Sequence, residues 1–430
     1  AYLTVTADLA LEQARAADEA LARGQQLGPL HGIPVSIKDL NPTRGIRTTR
    51  GSLAYQHWVP DEDDCVAERV RASGAVLLGK TNTPEFGFYG ISENRLGPPC
   101  RNPWDPERTA GGSSSGAAVA LAAGLCALAT GSDGGGSIRI PGGFCGVYGI
   151  KPTQGRVPAP YTGPGGWRPF SQNGPMARSV RDACLLFQVL AGPDPRDPLA
   201  LAEPPPDFVA ACRPDVEGLR LGWSPDLGFA AVDPEVLRLT EQAARVFIEL
   251  GATVEPAELR LDGEALFDTF ATIWWSDYVA NYGSLLPEHR DELEPLLVRH
   301  LEEAMTWPAV KLSRALRELE WHRHRMAQLF TRYDLLLTPT LATPAFPIGQ
   351  LPEVIGGRRV RDPMWGFTPF TWPINMSGQT AATVPCGLAA GGLPVGLHVV
   401  GPKGAEATVI RASAALEAAR PWERHRPPVS

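Results

Sequence analysis

GGSSSGAAVALAAGLCALATGSDGGGSIRIPGGFCG, running from Gly111 to Gly146, is the stretch on which the rest of the chain depends. It holds two glycine-serine clusters whose first serine, Ser113, and last, Ser137, stand 24 residues apart, with an alanine-rich helical pattern and a short apolar run between them. Glycine is costly inside regular structure and is kept where the backbone turns with positive φ or closes on a ligand. Gly134, Gly135 and Gly136 directly precede Ser137. Three successive residues without side chains can turn their N–H groups into one concavity, as a developing oxyanion beside an attacking hydroxyl requires.

A Gly-Ser run is commonly a flexible linker. This one lies between the apolar stretches 126–130 and 138–147, where a linker is not expected. GGSSSG ahead of AAVALAA also places a glycine-rich loop at a helix N-terminus, a common phosphate site. The Walker pattern needs Lys and then Ser or Thr after its last glycine, whereas Ala117 and Ala118 stand there, and G-x-G-x-x-G is absent. Nucleotide binding is disfavoured on both mismatches.

A serine nucleophile needs a base to take its proton. His31, His57, His289, His300, His322, His324, His398 and His425 all lie outside the two clusters. Upstream, GIPVSIKDL places Lys38 at the end of a strand-like apolar run, Ile33 to Ile37. By itself such a lysine reads as a solvated strand end.

GIPVSIKDL, LLGKTNTPEF, RNPWDPERTAGGSSSG and GSDGGGSIRIPGGFCGVYGIKPTQGRV follow one another in the order and at the spacings of the amidase signature family, which the chain resembles. The likeness continues through NGPMARSVRDACLLFQVLAG, GQTAATVPCG and GLPVGLHVVG to AARPWERHRPP, so it covers nearly the whole chain. The resemblance implies an α/β fold, a large mixed β-sheet core flanked by helices. It implies that Ser137 is the acyl-accepting nucleophile, Ser113 a bridging serine after a cis peptide bond from Gly112, and Lys38 the general base. The N–H groups of Gly134, Gly135, Gly136 and Ser137 would form the oxyanion hole, with Asp133 and Arg139 bracing the loop and Ser132 supplying a further hydroxyl. The family's usual GGSSGG stands here as GGSSSG, so Ser115 replaces a common glycine.

For that role Lys38 must be neutral, and at an unperturbed pKa near 10.4 this costs roughly 4.6 kcal/mol at pH 7. Desolvation lowers a lysine pKa by up to several units, and Ile33, Val35 and Ile37 suit a buried strand. Asp39 would oppose the shift, but adjacent strand residues point to opposite faces.

The 430 residues, 43% hydrophobic and 20% charged, can bury a large core. The family likeness favours a single domain over 1–430, with a catalytic core at about 28–192 and a helical, aromatic-rich, substrate-side region at about 265–332. A formal net charge of −7 without a basic run gives no electrostatic case for nucleic acid or an anionic membrane. The seven cysteines, at 65, 100, 126, 145, 184, 212 and 386, contain no C-x-x-C pair and fit a reduced, cytoplasmic protein. His322 and His324, two apart on a helix, do not share a face, so no metal is expected. AYLTVTADLA lacks a basic n-region and an apolar h-region, and the apolar run 117–130 is too short to span a bilayer. The opening segment resembles the part of the family that follows two N-terminal helices.

Residues 7–23 read as an amphipathic helix, and Asp63 or Asp64 as the cap of a short helix through Ala72, ahead of a strand at 75–78. SVRD at 179–182 is a capping box. Asp233-Pro234 starts a helix burying Val236, Leu239, Ala243, Val246, Phe247 and Leu250. The Pro-rich stretch 191–207 reads as a surface connection. YDLLLTPT is a buried strand, and TVPCGLAAGGLPVGLHVVG a hairpin.

The aromatics Trp167, Phe170, Trp274, Trp275 and Tyr278 are candidates for an acyl or aryl pocket, although a single aromatic is more often core. The expected reaction is cofactor-free hydrolysis of a bulky apolar or aryl amide through a Ser137 acyl-enzyme. A carbamate- or ester-cleaving member shares every catalytic residue, and the glutaminase component of a tRNA-dependent amidotransferase is a further alternative. A non-enzymatic scaffold is disfavoured because all three triad residue types are present. Expected partners are a small amide, carbamate or ester and water; a homodimer is left open.

Overall fold

A computed structural model of the chain describes residues 1–160 and 169–429. A mixed sheet of eleven strands runs through it: β1 (Tyr2–Val5), β2 (Pro34–Lys38), β3 (Val76–Thr81), β4 (Leu128–Asp133), β5 (Tyr148–Lys151), β6 (Gln172–Ala177), β7 (Arg220–Trp223), β8 (Thr253–Pro256), β9 (Leu335–Pro339), β10 (Thr380–Ala389) and β11 (Leu393–Gly401). Their order across the sheet is β1-β3-β2-β4-β6-β5-β10-β11-β9-β7-β8. Helices flank it, giving the α/β class expected from the motif order.

One pairing positions the site. β2 runs parallel to β4, with Val35 opposite Leu128 and Ser36 opposite Ala129. Parallel neighbours end at the same edge, so Lys38 at the end of β2 emerges beside the glycine loop that follows Asp133 at the end of β4. The Lys38 N–H donates to Thr130 Oγ1 at 3.1 Å and ties the two ends together. Val35 and Ile37 are buried, but the strand begins at Pro34 and Ile33 is exposed, one residue later than the apolar run suggests.

Helix α1 (Ala7–Ala22) lies over β3, and α2 (Cys65–Ala72) is capped by Asp64, whose Oδ1 accepts the Ala67 N–H at 2.8 Å. Helix α3 (Ser115–Ala122) follows the first serine cluster and is buried along its whole length, which small side chains permit. A Cβ on Gly116 would stand 2.2 Å from the backbone nitrogen of Asn82, so the last glycine of GGSSSG is a packing requirement. Helix α4 (Arg139–Cys145) follows the second cluster.

Ser179 caps α5 (Val180–Leu190) by accepting the Asp182 N–H at 3.1 Å. Asp233 caps α6 (Pro234–Glu249) by accepting the Glu235 N–H at 2.8 Å. Leu250, expected in the core, is instead exposed, because the helix closes one residue earlier and the chain turns at Gly251, where φ is 89°. The aromatic region forms α7 (Gly263–Tyr282), α8 (Pro295–Ala304) and α9 (Ala309–Leu329), with α7 touching both others. A short helix, α10 (Trp372–Ser377), precedes the β10–β11 hairpin, whose strands pair antiparallel from Thr380↔Gly401 to Ala389↔Leu393. Helix α11 (Glu406–Ala419) packs on that hairpin. Among the described residues no helix is long and apolar enough to cross a membrane.

Candidate active site

Lys38 is fully buried at the end of β2. Its Nζ lies 2.8 Å from Ser113 Oγ, 2.9 Å from Ser114 Oγ, 3.0 Å from Ser132 Oγ and 3.2 Å from the Ser132 carbonyl. All four neighbours are hydroxyl or carbonyl oxygens, so nothing ionic offsets desolvation at contact distance. Burial pulls the amine down to about 7, against the opposing field of Asp133. Asp39 turns away, as strand alternation requires: its carboxylate accepts the Thr49 N–H at 2.8 Å and faces Lys80 at 3.8 Å.

The peptide bond between Gly112 and Ser113 is cis. Of the three neighbouring serines, Ser113 and Ser114 both touch the lysine, while Ser115 Oγ donates to the Asn82 carbonyl at 3.2 Å. Ser113 opens onto the same cavity as Ser132, Gly134 and Ser137, and Ser114 does not. The two clusters are joined where the Ser114 N–H donates to the Ser137 carbonyl at 3.0 Å.

Asp133 organises the glycine loop. Its Oδ1 accepts the Gly136 N–H at 2.8 Å, and its Oδ2 accepts the N–H groups of Ile138 at 3.1 Å and Arg139 at 3.3 Å. The Arg139 guanidinium grips the carboxylate from the side, Nε to Oδ2 at 3.0 Å and Nη2 to Oδ1 at 2.9 Å. Burial drives this carboxyl upward, but Arg139 outweighs it and holds Asp133 well below the usual carboxylate range. Of the four N–H groups expected from sequence to face an oxyanion, that of Gly136 is already engaged by Asp133.

The cavity above Ser137 encloses about 150 Å³. Trp274, Tyr278 and Tyr282, spaced four apart along α7, form one wall with Phe86. Phe86 stacks on Tyr282 with ring centres 4.0 Å apart, and Trp274 on Tyr278 at 5.2 Å. Two of the proposed pocket aromatics lie elsewhere. Phe170 is buried against Phe270 at 5.8 Å, and Trp275 stacks on His300 at 4.2 Å, because consecutive helical residues point about 100° apart. Trp167 lies outside the described residues. The stretch read as a surface connection contributes Asp197 and Leu199 to the cavity. Among the described residues no group of three or more His, Cys, Asp or Glu is gathered as a metal site.

A family model described as Amidase matches residues 1–410. The chain belongs to the amidase family. It is accordingly a hydrolase of amide C–N bonds. Among its amidase relatives, an acylamidase of Rhodococcus erythropolis is 40% identical over 410 residues, 94% of this chain and 84% of that protein. A glutamyl-tRNA(Gln) amidotransferase component from Moorella thermoacetica is 39% identical over 451 residues, 99% of this chain and 91% of that protein. The solved structure of a bacterial aryl acylamidase of the amidase signature family superposes with a TM-score of 0.91 at 33% identity, over 98% of this chain and 89% of that one.

Three residues of this amidase whose roles the motifs do not assign, among them His398 within GLPVGLHVVG, come from far along the chain to the loop or to its brace Arg139. Asn375 Nδ2 donates to Asp133 Oδ1 at 2.8 Å and its Oδ1 accepts from Arg139 Nη2 at 2.6 Å. Thr371 Oγ1 donates to the Gly135 carbonyl at 2.7 Å. His398, on β11, meets Arg139 Nη1 at 2.9 Å through Nε2. A guanidinium only donates, so that nitrogen is the acceptor and the ring proton sits on Nδ1, 3.3 Å from Thr338 Oγ1. Burial and the neighbouring Arg139 keep this ring neutral, well below the usual histidine range.

Proposed function

We propose that this amidase works through an acyl-enzyme on Ser137, with Lys38 as general base and Ser113 as the proton bridge between them. The buried amine of Lys38, 2.8 Å from Ser113 Oγ and lowered to about 7 by burial, is the observation that carries the assignment. An amine poised near the operating pH can take a proton and return it. Ser137 Oγ attacks the amide carbon and its proton passes through Ser113 to Lys38. The carbonyl oxygen becomes an oxyanion facing the N–H groups of Gly134, Gly135 and Ser137. The C–N bond then breaks as the same proton returns through Ser113 to the leaving nitrogen. Water repeats the sequence on the acyl ester and releases the carboxylic acid.

Treatment with a fluorophosphonate followed by peptide mass spectrometry tests the assignment. One adduct on Ser137, abolished in Lys38→Ala, is expected. An adduct on another residue, or full labelling of Lys38→Ala, would refute it.

The substrate class follows from the cavity. A space near 150 Å³ is the size that accepts one benzene-like ring. The wall of Phe86, Trp274, Tyr278 and Tyr282 offers aromatic faces to such a ring. We therefore assign amides carrying one aryl or similarly compact apolar group as substrates, which the likeness to acylamidases supports. Trp274→Ala is expected to lower kcat/KM about ten- to hundredfold on anilides while leaving short aliphatic amides within about threefold, a loss of roughly 1–3 kcal/mol of apolar contact. Trp275→Ala, which does not face the cavity, is the control and should affect both classes alike. Equal losses in Trp274→Ala would overturn the aryl assignment. The likeness to the glutamyl-tRNA(Gln) amidotransferase component supports a glutaminase reading, and glutamine belongs in the same panel; turnover of glutamine above that of anilides would favour it.

A further inference from the structure

We infer that Thr371, which precedes α10, and Asn375, one turn further on within it, are positioning residues that set the orientation of the glycine loop together with Arg139. This rests on the acyl-enzyme reading of Ser137. The peptide unit between Gly135 and Gly136 is held at both ends: its carbonyl accepts from Thr371 Oγ1 at 2.7 Å, and its N–H donates to Asp133 Oδ1 at 2.8 Å. A peptide unit is planar, so holding the carbonyl and the N–H fixes its rotation about the chain. The flanking N–H groups of Gly135 and Ser137 are then aimed by what remains.

Asn375 performs the same task one bond further back. It donates from Nδ2 to the Asp133 carboxylate at 2.8 Å and to the Asp133 carbonyl at 2.9 Å, and accepts from Arg139 Nη2 at 2.6 Å. The carboxylate that holds the Gly136 N–H is thus itself oriented by the α10 amide. Packing points the same way. A Cβ on Gly136, where φ is 130°, would stand 2.4 Å from Thr371 Oγ1, and one on Gly135 would stand 2.9 Å from the Trp365 ring. The loop and the segment 365–371 touch so closely that a side chain at either glycine would force one of them to shift.

Thr371→Val keeps the shape and removes the donor, while Thr371→Ser keeps the donor and removes a methyl group. Thr371→Val is expected to lower kcat about ten- to hundredfold, the size of loss that misplacing a reacting geometry by about an ångström produces. KM should stay within about twofold, and the acid limb of the pH–rate profile near 7 should be unmoved, because Lys38 is untouched. Thr371→Ser should retain most of the rate. Wild-type kcat in Thr371→Val, a loss confined to KM, or an equal loss in Thr371→Ser would overturn the inference. Ser137→Ala run alongside separates the two levels. If it remains active, the nucleophile assignment fails and this one with it; if it is inactive while Thr371→Val keeps its full rate, the positioning role alone fails.

Discussion

Ser137→Ala is expected to lower kcat for amide hydrolysis by about four to six orders of magnitude, the range seen when a serine nucleophile is removed. The residue is 6% exposed, at the floor of the cavity. Its structural bond is made by the backbone, since its carbonyl accepts the Ser114 N–H. Alanine keeps that bond, so unfolding free energy should change by no more than about 1 kcal/mol. The neighbouring hydroxyls cannot substitute. Ser113 and Ser114 are both drawn to Lys38, and Ser115 is turned toward Asn82. Single-turnover kinetics with thermal unfolding as the companion measurement check this, and residual activity within about tenfold of wild type would refute it.

Lys38→Met should have the second largest effect, a fall of about two to four orders of magnitude in kcat/KM, which is what general-base catalysis contributes. Methionine retains the unbranched stem inside the strand and removes only the titrating amine. The pH profile gives the sharper readout. The amine is neutral above about 7 and charged below it, so wild-type kcat/KM should fall about tenfold per pH unit as pH drops below about 7. That limb should vanish in the variant. Stability carries the same signature. The folded amine titrates below its unfolded value near 10.4, so between about 7 and 10 the unfolded chain binds more protons and Lys38 adds stability as pH rises. Urea denaturation across that window should show a shallower rise in Lys38→Met. A variant that keeps the acid limb would assign it to another group.

The sequence made the parts of this site legible where chemistry is written in local patterns. Ser137 is marked by the three glycines before it, whereas Lys38, which by itself reads as a solvated strand end, and the choice of Ser113 among three adjacent serines came from the family resemblance. The caps Asp64, Ser179 and Asp233 are marked by the helices they begin. What could not be read is whatever depends on long separation. Thr371 and Asn375 are single polar residues in ordinary surroundings, and His398 stands in GLPVGLHVVG with nothing beside it that marks its role; what the three do lies in contacts with residues 236 to 259 positions away. The aromatic wall is an intermediate case. Trp274, Tyr278 and Tyr282 share a helical face, and that spacing alone separates them from Trp275. The exposed end of α6 at Leu250 reflects the usual uncertainty of a helix boundary, where one residue decides between core and solvent.

The route by which Arg139 is satisfied ties the motif to residues far along the chain. A nascent chain that has emerged as far as residue 192 already carries the serines, the lysine and the glycine loop. It still lacks the Asn375 amide and the His398 ring that meet two guanidinium nitrogens of Arg139. Those partners arrive with the last quarter of the chain, next to a buried cation that would otherwise draw water into the loop. A fragment ending at residue 192 holds the whole motif and is expected to show no amide hydrolysis, which an assay of residues 1–192 checks.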